Sequence, residues 1–151
     1  MKLSIITMSL AAILMTAVPA KAQTLKEVAA EGNKVYVEIV DEFAGTDDAF
    51  PEDEREDVTN YCVEAGDWVK ASTPEEADFI FHVDVKKKVV FFSPRTWLTP
   101  SVRLQDGTVL WQGKTYIGDA TMGNGFRATD AAVLKMLKQG FKKDLFPKIG
   151  R

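Results

Sequence analysis

The sequence has little of the residue chemistry on which most enzyme and metal sites depend. It contains one cysteine, Cys62, and one histidine, His82. A single cysteine forms no intramolecular disulfide, which excludes a disulfide-rich miniprotein. A single histidine excludes a multi-histidine metal cluster and a proton relay between two histidines. We interpret Cys62 as a buried apolar residue, with a reactive or dimer-linking thiol as the alternative, and His82 as a surface or partly buried strand residue.

Recognisable catalytic motifs are absent as well. The sequence has no G-x-S-x-G, C-x-x-C or H-E-x-x-H, so the usual arrangements for nucleophilic and zinc catalysis are missing. We therefore expect a non-enzymatic protein with no cofactor and no metal site. The acidic segment 41–57 has carboxylates that could bind calcium, but their spacing does not match an EF-hand loop. A solvated loop followed by the start of a helix is the favoured interpretation.

Basic residues are scarce in the first part of the chain, and acidic residues are scarce in the second part. Residues 23–85 contain 4 Lys or Arg against 18 Asp or Glu, whereas residues 86–151 contain 13 against 4. This division disfavours a uniformly basic nucleic-acid-binding protein. It is compatible with a homo-oligomer in which the acidic half of one copy meets the basic half of another.

Long apolar runs are limited to one, at residues 5–18. Lys2 precedes this run and Ala20-Lys21-Ala22 follows it, as in a secretion signal with an A-x-A cleavage site. We predict a cleaved signal peptide at 1–22, and therefore a periplasmic or secreted protein. The run is short for a membrane span, so a retained membrane anchor is the less favoured alternative. The leader has no cysteine that could carry a lipid. No integral membrane span is expected after cleavage.

Alternating apolar patterns predict several strands. Residues 34–40 and 78–85 alternate apolar and polar side chains, as do strands with one buried face. A short strand is expected near Trp68, and residues 102–117 are predicted to form a hairpin that turns at Asp106-Gly107. The side chains expected on one face of that hairpin's second strand are Val109, Trp111 and Ile117.

Two longer segments have helical spacing. The first, 51–66, begins with Pro51 and acidic residues and ends at Gly66, which is expected to be left-handed. The second is predicted to be capped by Thr129 and stopped by Pro147. The apolar stripes are Val58, Tyr61, Cys62 and Ala65 in the first helix, and Leu134, Leu137, Phe141 and Leu145 in the second.

The predicted elements combine into an α+β fold. We expect a mostly antiparallel sheet with two main helices packed on one face, in the order β-α-β-β-β-β-α. The length suits a single domain over residues 34–151. Residues 23–33 precede it as an arm or a short helix, in which Thr24 and Glu27 have the spacing of a capping box.

The segment 86–98 (KKKVVFFSPRTWL) has the most unusual composition in the chain. Lysines and a proline around an apolar run are typical of a strand protected against edge pairing. Aromatic side chains beside cations are also typical of a docking surface for a protein, a glycan or a lipid headgroup. We keep both interpretations. The partner-binding candidates are Lys86, Lys87, Lys88, Phe91, Phe92, Arg95 and Trp97.

Residues 123–128 match the pattern G-x-G-x-x-[GA] between a strand and a helix, as in dinucleotide-binding sites. Such a site also needs a following strand that carries an acidic residue, and the rest of the chain contains no apolar strand pattern. A simpler alternative is an anion held at the helix N-terminus, with Gly123, Gly125 and Arg127 as candidate ligands. The remaining interpretation is a turn from hairpin to helix.

One stretch resembles known exported domains. Residues 65–83 (AGDWVKASTPEEADFIFHV) and the hairpin at 102–113 (VRLQDGTVLWQG), followed by a closing helix, are similar to the TolB amino-terminal domain, the CsgG-type domain and related periplasmic lipoproteins. The resemblance implies a non-enzymatic role in envelope assembly, secretion or scaffolding, and it implies no catalytic residues. The chain departs from these families in having no lipidation cysteine, no β-propeller and no obvious membrane-inserting hairpin.

These observations favour an exported accessory protein that binds an envelope or secreted protein partner, or another cell-envelope component. A small anion- or ligand-binding module that uses residues 123–128 is the alternative. A self-associating structural subunit is the third hypothesis.

Overall fold

The structure is a computed structural model that describes residues 22–125 and 127–151. The predicted signal peptide lies outside the described residues, apart from Ala22. Six strands form one mixed sheet whose core side is covered by the helices, which confirms the predicted α+β class. The strands are β1 (Lys34–Asp41), β2 (Val69–Lys70), β3 (Phe79–Val90), β4 (Ser93–Arg103), β5 (Val109–Gln112) and β6 (Tyr116–Asp119). The helices are α1 (Leu25–Val28), α2 (Glu52–Ala65), α3 (Ala128–Lys135) and α4 (Phe146–Ile149), with a π-helical segment (Met136–Leu145) between the last two and short 3₁₀ turns at Pro74–Glu76 and Met122–Asn124.

The sheet has the order β2-β1-β3-β4-β5, and β6 also pairs with β4. Strand β1 is parallel to both of its neighbours, whereas β4 is antiparallel to β3, β5 and β6. Pairing between β1 and β3 ends at Asp41 and Val85, so residues 86–90 of β3 pair only with β4. Residues 86–90 of β3 therefore have one edge that pairs with no other strand. This is the edge that the lysines were predicted to protect against pairing with another chain.

The core lies between the sheet and the helices. The orientation predicted for β3 is confirmed, since Phe79, Phe81, Val83 and Val85 are buried on the helix side. The prediction of a single buried face was wrong, because Ile80 and His82 on the other face are buried as well. Trp68 joins them, with its ring centroid 5.0 Å from Phe79 and 5.7 Å from Phe81. The opposite face of the sheet has no helix on it among the described residues, and we call it the open face.

Helix α1 confirms the capping box predicted in segment 23–33. The Thr24 hydroxyl accepts from the Glu27 backbone N–H at 3.3 Å, and the Glu27 carboxylate accepts from the Thr24 N–H at 2.9 Å. Val28 and Ala29 are buried in the core cluster. The segment therefore packs onto the domain instead of extending from it.

Helix α2 confirms the helix predicted at 51–66, but two details were wrong. Tyr61, predicted to be in the buried stripe, is 40% exposed. Gly66 has φ −82°, and the left-handed residue is Asp67, with φ 51°. A Cβ atom on Gly66 would lie 2.2 Å from the Trp68 ring. Glycine is therefore required at this position by the close packing of Trp68.

Both predicted ends of the C-terminal helix were wrong. The helix begins at Ala128 after Arg127, and Thr129 is a buried residue of its first turn whose hydroxyl does not cap the helix. Pro147 lies within α4, which continues the π-helical segment without a break, so this proline does not stop the helix. The chain leaves the helix only after Ile149, at Gly150, which has φ 82°.

The apolar stripe of this helix is also displaced. Phe141 and Leu145 are fully buried as predicted, but Leu134 is 54% exposed. The π-helical hydrogen bonding widens the turns, so that the buried Met136 and Phe141 are five residues apart. In a regular α-helix Leu134, seven residues before Phe141, would lie on the same face and be buried. In the structure the buried residues of that turn are Val133 and Met136.

The predicted 102–117 hairpin has its turn where expected, because Leu104 and Thr108 are hydrogen-bonded at 2.9 Å and Gly107 has φ 89°. Its second strand, however, is broken into β5 and β6. Pro100 of β4 lies opposite the break and has no N–H with which to continue the ladder. Trp111 is buried, while Val109 and Ile117 are substantially exposed.

Cys62 is expected to be unreactive in the folded protein. Its side chain is fully buried, and burial raises the pKa of the thiol well above its ordinary value. A disulfide-exchange reagent at neutral pH should therefore label no thiol until denaturant is added, after which one thiol per chain should react. Stoichiometric labelling of the native protein would contradict this placement.

Candidate docking surface

Phe91 and Phe92 form the tip of the β3–β4 hairpin, and we call this pair the hairpin tip. Their relative exposures are 94% and 103%. They connect Val90 and Ser93, which pair with each other, and have φ values of 51° and 65°. Two central residues with positive φ define a type I′ turn, for which Asn-Gly is the usual sequence. A left-handed backbone costs a residue with a Cβ about 1–2 kcal/mol, so two bulky phenylalanines are unfavourable here for the fold alone.

The part of the β3–β4 hairpin nearest to the tip contains no acidic residue of its own. From Val85 to Gln105 there is no Asp or Glu, although the chain has 22 in total. The cations of this stretch are Lys86, Lys87, Lys88, Arg95 and Arg103. The hairpin is therefore a basic projection from an acidic protein.

Lys86 and Lys88 lie on the open face of the hairpin. The Lys86 Nζ is 3.2 Å from a Glu42 carboxylate oxygen, and both ammonium groups lie 5.9 Å from the Phe43 ring centroid. These distances are compatible with cation–π attraction. Among the described residues Lys88, the cation of β3 nearest to the tip, has no ion-pair partner.

Arg95 and Trp97 continue the same surface on β4. The Arg95 guanidinium pairs with Asp119 of β6 and lies 6.0 Å from the Trp97 ring centroid. The half-buried Trp97 forms one wall of a groove of about 550 Å³ on the open face, beside Val40 and Thr99. The structure thus brings together four of the predicted candidates, Lys86, Lys88, Arg95 and Trp97, below the hairpin tip.

Lys87 points to the helix side instead. Its Nζ lies 2.6 Å from a Glu54 oxygen of α2, and the other Glu54 oxygen accepts a hydrogen bond from Thr129. The Thr129 hydroxyl in turn lies 3.2 Å from that of Thr96 in β4. This network ties the base of the hairpin to α2 and α3, so Lys87 supports the surface without forming part of it.

The predicted anion-binding residues have acidic surroundings. Gly125 is left-handed, with φ 62°, and follows the 3₁₀ turn that contains Gly123. The Arg127 Nε is 2.6 Å from an Asp130 carboxylate oxygen. The adjoining cleft of about 200 Å³ is also lined by Asp53, Glu54 and Asp57, whose charge opposes an anion. The anion site stays a prediction that this geometry does not favour.

His82 is buried on the open face between two carboxylates. Its Nδ1 lies 2.6 Å from a Glu38 oxygen and its Nε2 lies 3.1 Å from an Asp84 oxygen. Both contacts are hydrogen bonds only when both ring nitrogens carry a proton.

In residues 22–125 and 127–151, no three His, Cys, Asp or Glu side chains are arranged to hold a metal ion. Nor does any helix in this part of the chain have the length and apolar character to cross a membrane.

The first carboxylate of the acidic segment 41–57, that of Asp41, has a structural role. Asp41 is buried and accepts backbone N–H bonds from Phe43 at 3.0 Å and Phe50 at 2.6 Å. Arg55 lies 3.5 Å away from the same carboxylate. Asp41 therefore organises the loop between β1 and α2.

Sequence reasoning missed Phe43 and Asp119 as parts of this surface. Phe43 reaches Lys86 and Lys88 because β1 runs parallel to β3 and its following loop begins where the two strands separate. Asp119 reaches Arg95 through the antiparallel pairing of β6 with β4. Both contacts depend on strand pairing between distant segments, for which the local sequence carries no signal.

The fold and the surface define an α+β protein with a protruding basic hairpin that ends in two exposed phenylalanines. No family model matches the sequence, and no curated protein matches it. Among solved structures it is similar to a PelC dodecamer from Paraburkholderia phytofirmans, at 19% identity and a TM-score of 0.47, covering 72% of this chain and 88% of that one. A single-substitution variant of that dodecamer gives 18% identity and a TM-score of 0.45, covering 71% of this chain and 89% of the variant.

A minor lipoprotein from Acinetobacter baumannii is similar at 13% identity and a TM-score of 0.46, covering 73% of this chain and 91% of that chain. These identities and TM-scores are too low to transfer a property from either protein. The resemblance to the TolB and CsgG-type domains stays a prediction.

Proposed function

We propose that this chain is an exported, non-enzymatic protein that docks onto another component of the cell envelope through the β3–β4 hairpin. The observation that carries the proposal is the hairpin tip, where two phenylalanines are almost fully exposed in an unfavourable backbone conformation. Export is supported by the predicted signal peptide. A chain with no docking role would gain stability from the usual turn residues at these positions.

The base of the hairpin is suited to hold the tip in a fixed place. A hydrogen-bonded network connects the two strands to both main helices, through Lys87, Glu54, Thr129 and Thr96. The chain therefore loses little additional conformational entropy when the tip meets a partner, because the strands are already held.

A non-enzymatic role is supported by the placement of the reactive side chains. The buried Cys62 thiol is inaccessible, and His82 is engaged by Glu38 and Asp84. In the part of the chain that the structure describes, the His82 ring is hydrogen-bonded to carboxylates and not to the hydroxyl or thiol nucleophile that acyl transfer would require.

The proposal is tested by a photoreactive benzoylphenylalanine placed at position 92 in cells that export the protein. We expect illumination to attach envelope material specifically at this position. The matched control is the same residue at Met122, which is 86% exposed and lies outside the hairpin. Identical adducts at both positions, or none at position 92, would remove the docking role.

A further inference from the structure

We infer that the component met by the hairpin tip is a lipid bilayer with anionic headgroups. Phe91 and Phe92 enter the boundary between headgroups and acyl chains, and Lys88 and Arg95 lie at headgroup level. This inference rests on the proposed docking role of the hairpin. It adds the chemical nature of the partner.

The shape of the tip favours lipid over a folded protein. The two phenylalanines project from the end of a two-residue turn, and neither has a ring contact with another aromatic side chain among the described residues. Val89, just behind them, is 66% exposed. A narrow convex wedge of this kind needs a matching pocket in a protein, whereas a fluid interface closes around it without one. Aromatic side chains are also favoured at membrane interfaces.

The distances along the hairpin agree with interfacial insertion. Lys88 and Arg95 pair with each other in register and each lies three residues from the tip. At roughly 3.3 Å per residue this places them about 10 Å behind the phenylalanines. Peripheral segments bury their apolar side chains about 5–10 Å into the boundary between headgroups and acyl chains. The cations would then meet the phosphates when the aromatic rings reach the acyl boundary.

The charge of the hairpin is complementary to an anionic membrane. Residues 85–105 contain no carboxylate of their own, although Glu42 and Asp119 from neighbouring segments pair with Lys86 and Arg95. Lys88 has no ion pair among the described residues, and its ammonium group lies over the Phe43 ring. Basic residues close to an anionic surface are attracted to it, and added salt weakens that attraction.

The test uses an environment-sensitive fluorophore attached to the purified protein through Phe92→Cys. Labelling is confined to position 92 because the native Cys62 is fully buried. Vesicles of phosphatidylethanolamine and phosphatidylglycerol should shift the emission to the blue and increase it, with a smaller response to phosphatidylcholine. The same fluorophore at Met122→Cys should not respond. No response at position 92 to the anionic vesicles would overturn the inference.

Vesicle flotation of the unlabelled protein gives a second readout. Phe91→Ser with Phe92→Ser should lower the bound fraction by about tenfold or more, because two large apolar side chains are no longer buried. Lys88→Gln should lower it less, and only at low salt. Equal flotation of all three proteins would count against the inference.

The outcomes separate the lipid inference from the docking role. Position-specific adducts at residue 92 that contain only protein, together with no vesicle response, would overturn the lipid inference and leave the docking role intact. A fluorescence change that depends on protein concentration without vesicles would identify a second copy of this chain as the partner, and would also overturn it. If neither the photocrosslinking nor the vesicle experiment gives a positive result, both the lipid inference and the docking role are wrong.

Discussion

Replacing Phe91-Phe92 by Asn-Gly is expected to stabilise the protein by about 1–2 kcal/mol and to abolish docking. The two phenylalanines occupy left-handed conformations, with φ 51° and 65°, each of which costs about 1–2 kcal/mol for an ordinary residue. Asparagine and glycine adopt them readily and are preferred in type I′ turns. The gain is measured as the free energy of unfolding in urea, and docking by photocrosslinking at a neighbouring position or by vesicle flotation.

The Ser-Ser variant at the same positions is the matched control. It removes the exposed aromatic surface to a similar extent but keeps side chains that do not favour positive φ. We expect it to lose docking without the gain in stability. A decrease in stability on changing to Asn-Gly would show that the phenylalanines contribute to the fold, and would contradict our interpretation of the hairpin tip.

Gly118→Ala is expected to lower the free energy of unfolding by about 3 kcal/mol or more, a large part of the stability of a small domain. Gly118 lies in β6 where α3 crosses the sheet. A Cβ atom there would lie 2.0 Å from the Ala128 carbonyl oxygen and 2.4 Å from the Ala132 nitrogen. Both neighbours are backbone atoms of the helix, so the clash can be relieved only if α3 moves away from the sheet. Urea unfolding followed by circular dichroism measures the loss.

Gly123→Ala serves as the control for this substitution. A Cβ atom on Gly123 would meet nothing closer than the Thr121 hydroxyl, at 3.8 Å. Its effect on stability should stay within about 0.5 kcal/mol, as for other surface positions. Similar losses for the two variants would mean that α3 does not pack on β6 as closely as described.

The part of the fold that could be predicted is the part that depends on the spacing of apolar residues within a single strand or helix. Alternation in residues 78–85 identified the side chains of β3 that face the helices, and the apolar spacing of Val58 and Cys62 placed the buried side of α2. The failures arose where packing overrode a local rule. Gly66 ends α2 as predicted, but it is not left-handed, and a glycine is required there because the Trp68 ring packs against it. The π-helical turns move the buried stripe of the last helix away from Leu134.

The candidate surface was only partly predictable for a related reason. Composition alone singled out residues 86–98, and the structure gathers most of the proposed residues on one projection. Alternation along β3 also assigns Lys87 to the opposite face from Lys86 and Lys88, a consequence that composition does not contain. The exposed turn at Phe91-Phe92 was missed because this pair has none of the Asn or Gly residues that usually mark a type I′ turn.

The parallel pairing of β1 with β3 has a consequence for the order of folding. Strands β3 and β4 are adjacent in sequence, so their hairpin closes through local contacts, whereas β1 reaches β3 only after the intervening α2 and β2 have been bridged. Closing such a long loop costs chain entropy and slows the search for the correct register. Until β1 arrives, the inner edge of β3 has unpaired backbone groups. The folding chain is therefore most prone to aggregate after the hairpin has formed and before β1 has paired with β3.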